Sequence, residues 1–138
     1  MTSGRCMCGE LRYEYQGEPL QKALCHCLTC RRLSGSTYTT NILVPEKAYK
    51  VTVGSPKTYS TKQDSGMMLT YSFCATCGCT ISKIGDAEDF KGIVIVQAGS
   101  LDDDAVFKAT DPQAELWVSR RVPWLSAMEG RAQMAEFH

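Results

Sequence analysis

The chain has 138 residues, 43% of them hydrophobic and 22% charged, which fits one domain of the usual size of about 100–150 residues and excludes disordered, collagen-like and coiled-coil classes. Fifteen basic residues against fifteen acidic ones remove the electrostatic footprint of a general nucleic-acid binder or a polybasic membrane ligand. The longest aliphatic run, Ile93 to Val96, falls far short of the roughly 20 apolar residues that cross a bilayer, and Met1 to Glu10 contains no signal-peptide core, so the expectation is a cytoplasmic protein without a membrane partner.

Period-two alternation dominates the chain. Leu11, Tyr13 and Tyr15 alternate with Arg12 and Glu14 and predict a first strand. Further strands are expected over 37–44, 50–53 and 57–61, where β-branched and aromatic residues are dense. Met67, Leu69, Tyr71 and Phe73 share one face of another strand, followed by strands over 80–84, 92–98 and 115–119. Helical patterns are short: one turn over 45–48, another over 101–105, and a terminal helix over 126–135 interrupted by Gly130. No repeat and no Pro- or Gly-rich linker divides the chain. The fold class is mainly β, with few short helices.

Eight cysteines in a chain without a secretion signal favour metal ligation over disulfides, which are rare in reducing compartments and characterise short secreted proteins. They fall in three clusters: Cys6 and Cys8; Cys25, Cys27 and Cys30; and Cys74 and Cys77 with Cys79 just beyond. Residues two apart on an extended chain face the same way, so Cys6 and Cys8 can grip one ion. Cys74 and Cys77 can do so from a tight turn, with Gly78 supplying the backbone freedom. Two such pairs complete a closed tetrahedral zinc site of the structural kind. The middle cluster offers three thiolates and leaves a fourth position open, as catalytic zinc sites do, and soft donors there suit a sulfur-containing substrate.

Other readings of these residues stand beside this one. Cys79 could close the second site, giving two structural zincs, or the middle cluster could consist of metal-free thiols. Alternation aims His26 away from an ion shared by its neighbours, which suits packing or support rather than ligation. Arg31 and Arg32 could offset the charge of the thiolates, hold a substrate carboxylate or simply be solvated. Tyr38, Tyr59, Trp117 and Trp124 could line a pocket or belong to the core.

The motifs C-x-C-G at Cys6 to Gly9, C-H-C-x-x-C-R-R at Cys25 to Arg32 and F-C-x-x-C-G at Phe73 to Gly78 occur in an order that resembles the glutathione-dependent formaldehyde-activating enzyme family, also called the CENP-V/GFA domain family. Leu116-Trp117-Val118 and Pro123-Trp124-Leu125 look like that family's closing segment, and the likeness runs from about Gly4 to Trp124. The resemblance implies one domain over 1–138 with tent-like, zinc-stabilised antiparallel β sheets. It also implies two zinc ions, a structural one on Cys6, Cys8, Cys74 and Cys77 and a catalytic one on Cys25, Cys27 and Cys30. The implied activity is that of a zinc-dependent carbon–sulfur lyase that forms or cleaves a glutathione (or other thiol) adduct of an aldehyde, such as S-hydroxymethylglutathione. A hydrolase acting on an imine or thioester-like carbon, and a non-catalytic zinc module, are the alternatives; no basic extension supports a nucleic-acid partner. Cys79 departs from the family motif, which usually carries serine or threonine there.

Overall fold

Leu11, Tyr13 and Tyr15 are buried and Arg12 is exposed, so the alternating segment lays one face on a core. In the computed structural model, which describes residues 1–138, it forms β2 (Arg12–Tyr15), between β1 (Thr2–Arg5) and β5 (Tyr49–Val53) in a three-stranded antiparallel sheet. The remaining strands make one eight-stranded sheet: β3 (Gln21–Cys25), β4 (Thr39–Pro45), β6 (Lys57–Lys62), β7 (Met68–Phe73), β8 (Thr80–Gly85), β9 (Ile93–Gln97), β10 (Ala114–Leu116) and β11 (Ala132–Gln133). Their spatial order is β11-β10-β3-β4-β9-β8-β7-β6. The mainly β class is observed, and most neighbours are antiparallel. The exceptions are β10, which runs parallel to both β3 and β11.

The central strands explain the aliphatic run noted above. Ile42, Val44, Val94 and Val96 pack with Tyr13 and Tyr15 between the sheets, while Leu43 and Ile95 pack with Met67, Leu69 and Phe90 on the other face. A strand buried on both faces reads as continuous apolar sequence rather than alternation. Each such side chain contributes about 1.5–3 kcal/mol of hydrophobic stabilisation. The second face is the floor on which the middle cysteine cluster sits.

Several expectations are corrected. No helix forms over 126–135. Gly130 has φ +74° in a turn, only Ala132 and Gln133 form a strand, and Ala132 pairs with Ala114. The helical turn expected over 101–105 lies later, as α2 (Asp104–Lys108), because the Asp103 carboxylate accepts from the N–H groups of Ala105 and Val106 and so sets the start. The strand expected over 115–119 ends at Leu116, since Trp117 adopts a left-handed φ of +58°. That backbone costs a residue with a side chain on the order of 1–3 kcal/mol. Strands β1 and β3 and the helix α1 (Leu28–Ser34) are additions to the expected set.

Candidate metal centre

The turn between β1 and β2 brings Cys6 and Cys8 against Cys74 and Cys77 from the turn between β7 and β8, so the four thiols join the small sheet to the large one. All four sulfurs lie within 4.8 Å of one another. Cys8 Sγ is 3.6 Å from Cys6 Sγ and 3.7 Å from Cys74 Sγ. Four sulfurs about 2.3 Å from a tetrahedral zinc would sit about 3.8 Å apart, so the spacing fits that ion. Gly9 (φ +81°) and Gly78 (φ +76°) take left-handed conformations right after the ligand pairs, which lets each turn fold back over its sulfurs. Backbone N–H groups of Leu11 and Thr76 donate to Cys6 Sγ and Cys74 Sγ at 3.3 and 3.4 Å, as suits sulfur held as thiolate.

Charge in this cluster calls for a cation. N–H donors of Cys79 and Cys8 hold the Cys77 thiol down to about 6. The Glu10 N–H acts in the same sense on Cys8, but lost hydration and the three neighbouring thiols push Cys8 up to about 12. Four like charges at this spacing do not all form without a positive partner. The donor set therefore fits a divalent, thiophilic ion such as zinc.

The second cluster is built at the end of β3. Cys25 closes the strand, Cys27 caps α1, its sulfur accepting from the Cys30 N–H at 3.3 Å, and Cys30 lies in the first turn of the helix. The three sulfurs are within 4.8 Å of one another, and the residues are 5%, 1% and 2% exposed. Trp117 packs beneath them. Hydrogen bonds to Cys27 and Cys30 raise the Cys25 thiol well above its ordinary value, while Cys25, Cys27 and the Lys83 ammonium pull Cys30 well below. Three thiols packed this closely share their protons unevenly, and the one beside the ammonium is the one held lowest.

Sequence reasoning missed Lys83, and a β-bulge is the reason. Ser72 of β7 faces Ser82, but Phe73 faces Thr80, so Ile81 is the extra residue. A bulge of this kind reverses the facing of the residues beyond it. Counting by twos from buried Ile81 would put Lys83 between the sheets. Instead it stands opposite Ile95 on the other face, is 2% exposed, and donates to Cys30 Sγ and Thr39 Oγ1 at 3.3 Å each. Lys83 thus has the charge-offsetting position considered for Arg31 and Arg32, which stand exposed on α1.

A small cavity of about 30 Å³ opens beside the three thiols. Leu43, Leu69, Ile95 and Phe137 make it largely apolar, and Lys83 and Gln63 bring polar groups to its wall. Phe137 arrives from the C-terminal segment, whose backbone is tied down by Trp117 N–H to Glu136 C=O at 2.9 Å and Val118 N–H to Met134 C=O at 3.0 Å. Of the other aromatics considered, Tyr38 lies against His26, while Tyr59 and Trp124 are exposed. Cys79 belongs to neither cluster and borders a groove beside Cys6 and Met7.

His26 supports the second cluster from behind. Its Nε2 is 2.8 Å from Glu115 Oε1, and both side chains are buried. Burial acts to raise the Glu115 carboxyl, but the Met128 N–H, Gln133, His26 and Arg121 outweigh it and hold it down to about 2 from an ordinary 4.5. The carboxylate is an acceptor only, so His26 Nε2 carries the proton. Because the folded-state value is lowered, this stabilisation is complete above about pH 4.5 and is lost as the pH falls toward 2. Glu115→Gln is expected to cost about 3 kcal/mol at pH 7. Urea midpoints of wild type and variant should converge between pH 4.5 and 2; a difference independent of pH would count against the ionised network.

A crystal structure of a Rhodobacter sphaeroides protein superposes with a TM-score of 0.56 at 19% identity, covering 72% of this chain and 87% of that one, and shares the fold. No curated protein matches the chain. A family model described as glutathione-dependent formaldehyde-activating enzyme matches residues 1–120, a stretch that includes both cysteine clusters. The chain therefore belongs to the glutathione-dependent formaldehyde-activating enzyme family.

Proposed function

We propose that the protein, acting as one domain over residues 1–138, is a zinc-dependent carbon–sulfur lyase that joins glutathione or a related thiol to a small aldehyde and cleaves the adduct. One observation carries the reading. Three buried thiols, short of a tetrahedral set by one, border a cavity of about 30 Å³ rather than another donor. Cys6, Cys8, Cys74 and Cys77 hold a structural zinc, and Cys25, Cys27 and Cys30 hold the catalytic one. When bound there, zinc supplies Lewis acidity and a coordination position for a sulfur or oxygen donor.

The chain's own residues do the rest. The cluster is fixed by the α1 cap at Cys27 and by the His26–Glu115 pair behind it. Leu43, Leu69, Ile95 and Phe137 give the cavity a largely apolar wall, which strengthens charge interactions against it. In the forward direction the thiol sulfur bonds to the carbonyl carbon, the C=O π pair moves to oxygen, and the thiol proton ends on that oxygen. The reverse reaction breaks the carbon–sulfur bond and returns the proton to sulfur. No further reactant is needed. The family match supports the substrates, and no helix is long and apolar enough to cross a membrane, in keeping with work in the cytoplasm.

Exchange spectroscopy on ¹³C-formaldehyde and glutathione tests the reading. Protein carrying two zinc equivalents should speed exchange between free formaldehyde and its glutathione adduct well above the uncatalysed rate. Unchanged exchange rates with fully loaded protein would sink the lyase reading, and hydrolysis of an imine or thioester under the same conditions would replace it with a hydrolase.

A further inference from the structure

A lysine is almost never fully buried unless its charge is matched, and Lys83 finds its match in the Cys30 sulfur. Its ammonium carries three N–H donors. Cys30 Sγ and Thr39 Oγ1 take two of them. The third is left for whatever enters the cavity that Lys83 lines. A second donor stands in the same wall. Gln63 is 3% exposed, its Oε1 accepts from the Ser65 N–H at 2.8 Å, and its buried Nε2, which meets no oxygen or nitrogen acceptor, lies toward the Cys27 thiol and acts to lower it. The amide carries two N–H donors, and the one not aimed at Cys27 is left buried and unpaired, a loss that an acceptor in the cavity would remove.

Size narrows the identity of that acceptor. One water needs about 10–15 Å³ measured in this way, so about 30 Å³ holds a group of two or three heavy atoms and not a peptide. Of the other polar residues in the wall, Asn41 is committed to Ala23, Thr39 and Gln97, and the remaining wall is the three thiols and apolar side chains, so a ligand with one oxygen-bearing end and little else fits. A cation beside a neutral donor favours an oxygen on which negative charge grows.

We infer that Lys83 Nζ and Gln63 Nε2 form an oxygen pocket that takes the carbonyl oxygen of a one- or two-carbon aldehyde and stabilises the charge it acquires as the thiol adds. The assignment rests on the thiol–aldehyde reading above and names the residues that would hold the aldehyde end. While the carbon–sulfur bond forms, the π pair arriving on oxygen meets both N–H donors, and the proton given up by the thiol completes the hydroxyl. The bulk of glutathione stays outside this cavity.

Formate, with three heavy atoms and a charged oxygen, is the probe. Its affinity for the zinc-loaded protein is measured by calorimetry, with zinc content and turnover recorded for the same samples. Lys83→Met should retain two zinc equivalents, bind formate about 30-fold more weakly or worse, and lose kcat more than it raises KM. Lys83→Arg, which keeps the cation, should recover part of the loss. Gln63→Leu should weaken formate about 10-fold with zinc unchanged. Formate affinity within about two-fold of wild type in either zinc-replete variant overturns the pocket. If Lys83→Met does not fold, Gln63→Leu decides: an unchanged affinity rejects the assignment and the loss upholds it. Formate binding that depends on both residues, in a protein that does not accelerate thiol–formaldehyde exchange, upholds the pocket and rejects the lyase reading instead.

Discussion

Cys77→Ser is expected to abolish the cooperative melting transition or to lower it by tens of degrees, with loss of one zinc equivalent. The size of the effect is the diagnostic point, because Cys77 is exposed. An exposed cysteine without a metal partner changes stability by only about 0.5 kcal/mol when replaced by its near-isostere. A four-thiolate zinc site contributes on the order of 10 kcal/mol, comparable to whole-domain stabilities of about 5–15 kcal/mol. The position of the site adds to this. It ties the β1–β2 turn to the β7–β8 turn, so its loss frees the small sheet from the large one at that end. Differential scanning calorimetry with elemental analysis reads both quantities. Native melting with full zinc content in Cys77→Ser would show that these sulfurs hold no structural ion.

The second large effect separates the two clusters. Cys27→Ser is expected to lose the other zinc equivalent and at least about 100-fold of turnover, while its melting transition persists. Cys27 supplies one of three sulfurs and caps α1 through the Cys30 N–H; serine can still cap but is a poor ligand for a soft ion. The clusters pack in separate parts of the core. Cys6 and Cys74 pack with the side chains between the sheets, and Cys25, Cys27 and Cys30 pack with Trp117, so losses at one should leave the other standing. Cys79→Ser is the control. Cys79 is in neither cluster, so the variant should keep both metals and most activity. Should Cys79→Ser lose a zinc and Cys27→Ser keep both, the division into two sites would be wrong.

Much of this protein is written in local pattern. Alternation at Leu11, Tyr13 and Tyr15 and at Met67, Leu69, Tyr71 and Phe73 placed β2 and β7, because a strand with one buried face must repeat with a period of two. The cysteine clusters were legible for a related reason: ligands two or three residues apart are brought onto one ion by local backbone alone, whatever the rest of the chain does. The division into four thiols and three is the one the fold assembles. The α1 helix has no sequence signal because seven residues of mixed polarity carry no sustained apolar stripe, and its start depends on the sulfur of Cys27. The helix expected over 126–135 failed because its residues find partners in Gln113, β10, Val118 and Ser119, distant in sequence, instead of in a helical ladder.

What composition and spacing determined was the mainly β class, the two cysteine clusters that could hold metal ions and, through motif order, the family. Tertiary structure alone decided what surrounds the three thiols. A single extra residue at Ile81 turns Lys83 toward Cys30, the chain beyond residue 120 brings Phe137 back to wall the cavity, and parallel pairing of β3 with β10 sets Glu115 behind His26. Each of these is a contact between segments far apart in the chain, fixed by register and packing. Local sequence encodes which residues can bind an ion, because that needs only neighbours; it does not encode which charge or donor will face such a cluster, because that depends on how distant strands align.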